Sequence, residues 1–370
     1  MKILLVSLWS ISPDKIGGTE RFVIDMARGL SRNHSVTVLS LGRVDPKMKG
    51  VTTEGLGLIK NLDEYSLAEF LERGGCAKIQ STIASFIEKR DFDVVHLNSL
   101  LFSGLPIDIP SIHTVHTNKT ELLASFSRKM IGGIVREVQN DGEAVYVAPS
   151  IFAGRSFKAL TGRDPVIIRH SFFPDIALRN KMSAKRRYGI PEKNLVFCVP
   201  SRLELEQKGQ EILLRALKRV RPQLPPFVVV LGGSDKQYAD TRRYLLNRYH
   251  GLNMVIEAFH SKDEMYSLAD IIVLPSKTES FGYAALESAM MGFPLFLSNI
   301  PPYREMADGN PRITIFENNG SGLAKKLLAH LDEITNPGIE PPPKKWMAKF
   351  SQEIMTKKYL ALYKKVMLHQ

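Results

Sequence analysis

Short apolar runs rich in β-branched residues alternate with helix-period stretches along most of this chain. The runs cover residues 3–8, 35–39, 94–97, 112–115 and 145–147 and then, after a gap, 195–199, 227–231, 254–256, 271–274 and 294–297. Helical spacing falls between them at 20–30, 76–89, 210–220, 262–268 and 284–291. Strands that are apolar on both faces and alternate with helices predict parallel sheets covered on both sides. Five such units, a break, and five more predict two doubly wound domains rather than one large sheet. A length of 370 residues agrees. The break, residues 168–180, has no clear period and contains Pro174, so the linker is expected there. This gives a first domain over 1–170 and a second over 171–345. A last helix over 346–370 follows a proline-rich spacer, with Trp346, Phe350, Ile354, Leu360, Tyr363 and Met367 on one half of its surface. It is expected to pack on either domain, a return to the first being the reading taken.

Charge is unevenly placed. Residues 1–150 carry 17 basic and 17 acidic side chains and residues 251–370 carry 13 of each, whereas 151–250 carry 20 basic and 8 acidic. The whole excess of +12 therefore lies in the middle hundred residues. Such a field attracts phosphates, nucleic acid or anionic lipid. No aromatic-interleaved basic stripe or zinc finger is present, so a nucleic-acid partner is not expected. Two cysteines, Cys76 and Cys198, exclude a disulfide framework and fit a reducing, cytoplasmic setting. No apolar run is long enough to span a membrane. The start of the chain lacks a cleavage pattern and reads as a first buried strand.

The segment Thr278-Glu279-Ser280-Phe281-Gly282-Tyr283-Ala284-Ala285-Leu286-Glu287 follows a buried strand and opens a helix. Free amides and the helix dipole there make an anion site suited to a diphosphate. A carboxylate beside such a site is costly unless it binds something else, such as sugar hydroxyls. Glu279 otherwise reads as an N-terminal helix acid and Glu287 as a surface residue. Leu286, Ala289 and Met290 bring Glu287 near a buried face.

This segment resembles the Glu-x7-Glu motif of the retaining family 4 glycosyltransferases of GT-B fold. Other stretches resemble the same family in the same order: Gly17-Gly18-Thr19-Glu20, Asp93-Val94-Val95-His96, Thr114-Val115-His116, Ser201-Arg202-Leu203 through Lys208-Gly209, and Leu231-Gly232-Gly233. The resemblance implies two Rossmann-like α/β domains facing a cleft, with the acceptor entering from the first and a nucleotide diphosphate sugar held by the second. Closure would bring Gly17, Gly18 and His116 to the donor. The implied catalytic residues are Glu279, His116, Arg202 and Lys208. Arg202 and Lys208 would neutralise the diphosphate, and Glu279 and His116 would meet the donor sugar. Gly17, Gly18, Gly282, Tyr283, Ala284 and Glu287 would bind the donor, Glu287 at the ribose.

The expected activity is retaining, metal-independent transfer of a hexose-type sugar. The donor is a UDP-sugar first and a GDP-sugar second; the acceptor is a glycan, glycolipid or small-molecule hydroxyl. The alternatives are a nucleotide-sugar epimerase, a phosphorylase, or a silent sugar-nucleotide binding protein. No cofactor or metal is expected. Asp91-Phe92-Asp93 has the Asp-x-Asp pattern of metal-dependent transferases but precedes its strand, at the wrong end of the sheet. The gap at Arg169-His170-Ser171-Phe172 departs from the family's Asn-Gly. The apolar segment 122–138, with Arg128, Lys129 and Arg136, reads as a core-facing helix or, in second place, as a peripheral contact with an anionic membrane at the inner face. His113 is expected in the core.

Overall fold

The computed structural model describes residues 1–11, 17–44, 48–59, 69–172, 176–232, 238–257, 259 and 261–368. The chain divides into two compact units, Met1–Phe173 with Ala348–Gln370 and Pro174–Met347. Each is an α/β unit built on one parallel sheet.

The first unit contains β1 (Lys2–Ser7), β2 (Ser35–Ser40), β3 (Thr52–Gly55), β4 (Val94–Leu97), β5 (Ser111–Thr114), β6 (Val145–Ala148) and β7 (Val166–Ile167). Their spatial order is β3-β2-β1-β4-β5-β6-β7. Ile3 pairs with Val36 on one side and Val94 on the other, so β1 is central. Five of β1's six residues are buried, as a doubly covered strand requires.

One face carries Leu4, Val6, Val95 and Leu97 into a core with Ile83, Phe86 and Ile87. Ile131, Ile134 and Val138 complete this core from helix α2 (Arg128–Asn140), while α1 (Gly18–Leu30) is buried elsewhere in the unit through Phe22, Val23 and Met26. Burying each such side chain contributes about 1.5–3 kcal/mol, so the apolar side of α2 is committed to the core. The core-facing reading of 122–138 holds for its apolar side, with Leu123 left exposed, but the segment is two helices, Lys119–Ser125 and α2, broken at the extended Phe126 and the capping Ser127. No helix among the described residues is long and apolar enough to cross a membrane.

The second unit contains β8 (Leu195–Val199), β9 (Phe227–Gly232), β10 (Met254–Glu257), β11 (Ile271–Leu274), β12 (Leu295–Ser298) and β13 (Ile313–Phe316), ordered β10-β9-β8-β11-β12-β13. Phe197 pairs with Val229 and with Ile271, so β8 and β11 are the neighbours between which the order reverses. Every residue of β8 and β9 is buried. Its helices include α3 (Gln210–Val220), α4 (Lys262–Leu268), α5 (Tyr283–Met290) and α6 (Pro301–Ala307).

Several expectations need correction. The sheets have seven and six strands among the described residues, not five each. The additions, β3, β7 and β13, are edge strands; β3 reads Thr-Thr-Glu-Gly and has no buried residue, so its sequence carries no apolar signal. The single helix expected over 346–370 is two helices among the described residues, Lys344–Ala348 and α7 (Gln352–Met367). The break has a cause: the Phe350 carbonyl accepts from the Phe172 N–H at 3.1 Å, and the Ser351 hydroxyl caps α7. Ile354, expected on the buried side, is exposed. Gly233 lies outside the described residues.

The helix α7 belongs to the first unit. Tyr363 OH lies 2.7 Å from His96 Nδ1, and Tyr359 OH lies 3.0 Å from Thr114 Oγ1, which in turn meets His96 Nε2 at 2.7 Å. Gln352 donates to the Asp25 carbonyl of α1 at 2.8 Å. The buried imidazole of His96 thus has both nitrogens satisfied, one of them by α7. Replacing Tyr363 by Phe leaves Nδ1 unpaired in the core. We expect Tyr363→Phe to destabilise the protein by about 1–3 kcal/mol, read as a lower urea midpoint at unchanged slope.

Candidate active site

In the second unit, the loops after β8 and β11 meet. The Lys277 N–H donates to the Gln207 carbonyl at 2.8 Å. Gly209, at φ +64, lies so close to the Pro275 carbonyl that a Cβ there would collide with it. These contacts bring two side chains together from positions far apart in sequence. Lys208 Nζ lies 2.9 Å from Glu279 Oε1, and both side chains are largely buried. The same oxygen accepts from Ser276 Oγ at 3.0 Å and from Tyr303 OH, on α6, at 3.4 Å. Burial first, and the Glu279 charge second, raise the Tyr303 hydroxyl well above the usual phenol range, so it stays a donor.

Gly282 caps α5 at φ +92, a conformation that side chains disfavour. A Cβ on it would stand 2.6 Å from the Tyr303 ring. The glycine therefore serves two needs, the left-handed turn and the close approach of Tyr303. Tyr283 and Ala284 begin α5, so their backbone N–H groups are among those a helix cannot satisfy internally. The helix was expected from 284 and begins one residue earlier.

Glu287 lies one turn further along α5 and is only 2% exposed, which excludes the surface reading. Its Oε1 is paired closely with Lys262 Nζ, and its Oε2 accepts from Tyr266 OH at 3.3 Å. Arg202 differs from the others. Its side chain is 53% exposed and its Nε lies 3.2 Å from Glu204. Its carbonyl accepts from Gln210, at the start of α3, at 2.6 Å.

In the first unit, Gly17 is the N-cap of α1 and Gly18 its first residue. A Cβ on Gly17 would stand 2.5 Å from the Glu20 carboxylate. His116 follows β5. It is brought to α1 through Phe22, whose ring centroid lies 5.0 Å from that of His116. His170, from the gap segment, stacks on His116 at 5.2 Å. Burial lowers the His116 pKa to about 3. His113 is buried as expected, stacked on Tyr146 at 4.9 Å, and burial lowers it also to about 3. A cavity of about 710 Å3 in this unit opens against Ser111, Val145 and Val166, the first residues of β5, β6 and β7, at the opposite end of the sheet from His116.

The Asp-x-Asp pair is occupied: Lys2 Nζ pairs with Asp91 at 2.6 Å and the Lys2 N–H donates to Asp93 at 2.6 Å. Among the described residues no group of three or more His, Cys, Asp or Glu could hold a metal. Sequence reasoning missed Ser276, Tyr303, Tyr266 and Lys262 in the second unit and Asn98 and His170 in the first. None lies in a segment with a distinguishing pattern of its own; Asn98, after β4, and Ser276, after β11, stand at strand ends, and that position is the signal that could have found them.

Residues 16–171 match the family described as Glycosyltransferase Family 4, and residues 180–335 match that described as Glycosyl transferases group 1. The chain is built from two glycosyltransferase domains. It is 24% identical over 324 residues to an uncharacterized glycosyltransferase of Methanocaldococcus jannaschii, with 81% of each chain covered. Among solved structures it is similar to sucrose-phosphate synthase from Thermosynechococcus elongatus, with a TM-score of 0.77, 15% identity and all of both chains covered. It is also similar to Anabaena HepE solved with UDP and glucose, with a TM-score of 0.75, 18% identity and coverage of 98% and 99%. The fold is GT-B, with its two parallel-sheet α/β domains.

Two outcomes follow from this geometry. Gly282→Ala forces a side chain into a left-handed turn against Tyr303, so we expect a loss of about 1–3 kcal/mol in stability, measured by denaturant titration. His113 and His116 resist protonation when folded but titrate near 6.5 when unfolded. Their neutral burial costs nothing above about pH 6.5 and penalises the folded state increasingly as pH falls toward 3. Each adds up to about 1.4 kcal/mol per pH unit, so stability measured from pH 7 to 4 should fall, and His116→Gln should flatten the slope.

Proposed function

We propose that this glycosyltransferase retains anomeric configuration and moves a hexose-type sugar from a nucleotide diphosphate sugar, without a metal. A UDP-sugar is the first choice of donor and a GDP-sugar the second. The acceptor is a hydroxyl of a glycan, a lipid-linked glycan or a small molecule, in a cytoplasmic setting. The observation that carries the reading is the Lys208–Glu279 pair beside the N-terminus of α5. A carboxylate next to an anion site is unfavourable alone. Lys208 neutralises Glu279 and, as an ammonium with three donors, can meet a diphosphate as well, while the carboxylate keeps acceptor capacity for hydroxyls of the sugar. The UDP and glucose named for the Anabaena neighbour favour uridine.

In this reading, Arg202, Lys208 and the amides at Gly282, Tyr283 and Ala284 stabilise the departing diphosphate as its charge develops. The exposure of Arg202 leaves it able to turn toward a ligand. Glu287 accepts from the ribose hydroxyls, alongside Lys262. Gly17 and Gly18 permit close approach of substrate to the first unit's sheet, and His116 meets the donor sugar. No protein nucleophile is invoked: the reaction is a front-face displacement in which the leaving phosphate helps to take the acceptor's proton.

Calorimetry with UDP, GDP and ADP tests the reading. We expect one nucleotide, UDP first, to bind, and Glu287→Ala to weaken it about tenfold. Arg202→Ala should slow turnover of the matching sugar nucleotide by about 100-fold while leaving the melting point within a degree or two. Absence of binding by all three nucleotides overturns the proposal.

A further inference from the structure

Asn98 follows β4 and is only 2% exposed. Its Nδ2 donates to the Val6 carbonyl at 3.1 Å and to the His96 carbonyl at 3.3 Å. Both partners are acceptors only, so the amide has one orientation, with Oδ1 turned away from them. That Oδ1 lies 3.3 Å from His116 Nε2. An amide oxygen cannot donate. The ring proton must therefore sit on Nε2, which leaves the lone pair on Nδ1. Phe22 and His170 fix the plane of the ring, and Phe22 packs in turn on His170 at 4.5 Å. Among the described residues no polar group meets Nδ1. The depressed pKa keeps the ring neutral at physiological pH.

We propose that Asn98 is a positioning residue: it sets His116 as a neutral imidazole with its lone pair on Nδ1, so that His116 accepts a hydrogen bond from a substrate hydroxyl. The inference rests on the reading of His116 as a group that meets the donor sugar. It adds a choice of ligand chemistry. A hydroxyl can donate to Nδ1, whereas a carboxylate facing it brings two acceptors together. A neutral hexose is accepted at this position and a uronic acid with its carboxylate there is rejected. A fixed neutral ring also excludes His116 as a cation for the leaving diphosphate, which leaves that task to Arg202 and Lys208.

Nitrogen-15 NMR of the histidine-labelled full chain tests the first half without any substrate. Wild-type His116 should be protonated on Nε2; protonation on Nδ1 overturns the proposal. In Asn98→Ala the Nδ1-protonated form should become populated. Asn98→Ser, which keeps a small polar group but is too short to hold the ring, should do the same if the alanine variant folds poorly. The second half is read from turnover of UDP-glucose against UDP-glucuronate. The variants should lower kcat for UDP-glucose about tenfold with UDP affinity unchanged, and should raise the relative use of UDP-glucuronate, since an Nδ1–H can donate to a carboxylate. An unchanged ratio overturns the assigned role. Failure of the wild type to bind any of UDP, GDP and ADP sinks the nucleotide-sugar reading instead, while the tautomer in the substrate-free spectrum still decides what Asn98 does.

Discussion

A parallel sheet whose strand order reverses at its centre sends the connections of its two central strands to opposite faces and leaves a crevice at their C-terminal ends. The rest of both units is arranged around that constraint. In the first sheet the reversal lies at β1 and β4, and in the second at β8 and β11. Gly17 and Asn98 follow the first pair. Arg202, Lys208 and Glu279 follow the second. The doubly buried strands, mostly apolar, leave their C-terminal ends as the place where the polar chemistry of a ligand site can gather at low cost.

At the second of these openings, electrostatics decides the arrangement. Glu279 is largely buried, and an isolated carboxylate there would be strongly disfavoured. Lys208, Ser276 and Tyr303 supply an ammonium and two hydroxyls to one oxygen. Glu287 follows the same rule with Lys262 and Tyr266. Each acid of the Glu-x7-Glu segment is therefore held by one lysine and at least one tyrosine, delivered by different loops. The glycine between them, Gly282, lets Tyr303 come close enough to take part.

Much of this was legible in the chain itself. Continuous apolar runs announce doubly covered strands, and α3 and α4 have the bounds their spacing predicts. The acids, glycines and lysine of the second unit's site could be named because they sit at strand ends in a recognisable order. Their partners could not. Tyr303 sits in a helix after β12, and Ser276 in a loop with no pattern of its own; only folding brings them to Glu279. Asn98 carries no signal beyond its place at a strand end, since its role comes from two backbone carbonyls that fix its amide. Edge strands such as Thr52–Gly55 escape because pairing, rather than burial, makes them strands. The broken last helix escapes because its apolar spacing continues through residues 349–351, and a backbone bond to Phe172 ends it.

That break has a consequence for how the protein is made. The helix Gln352–Met367 supplies Tyr359 and Tyr363 to a polar cluster inside the first unit, yet it is encoded after the whole of the second. During synthesis the first sheet must wait, with His96 and Thr114 short of their partners, until some 170 intervening residues have left the ribosome. The unit that begins the chain is thus the later of the two to be finished, and its completion reports that translation has passed through both.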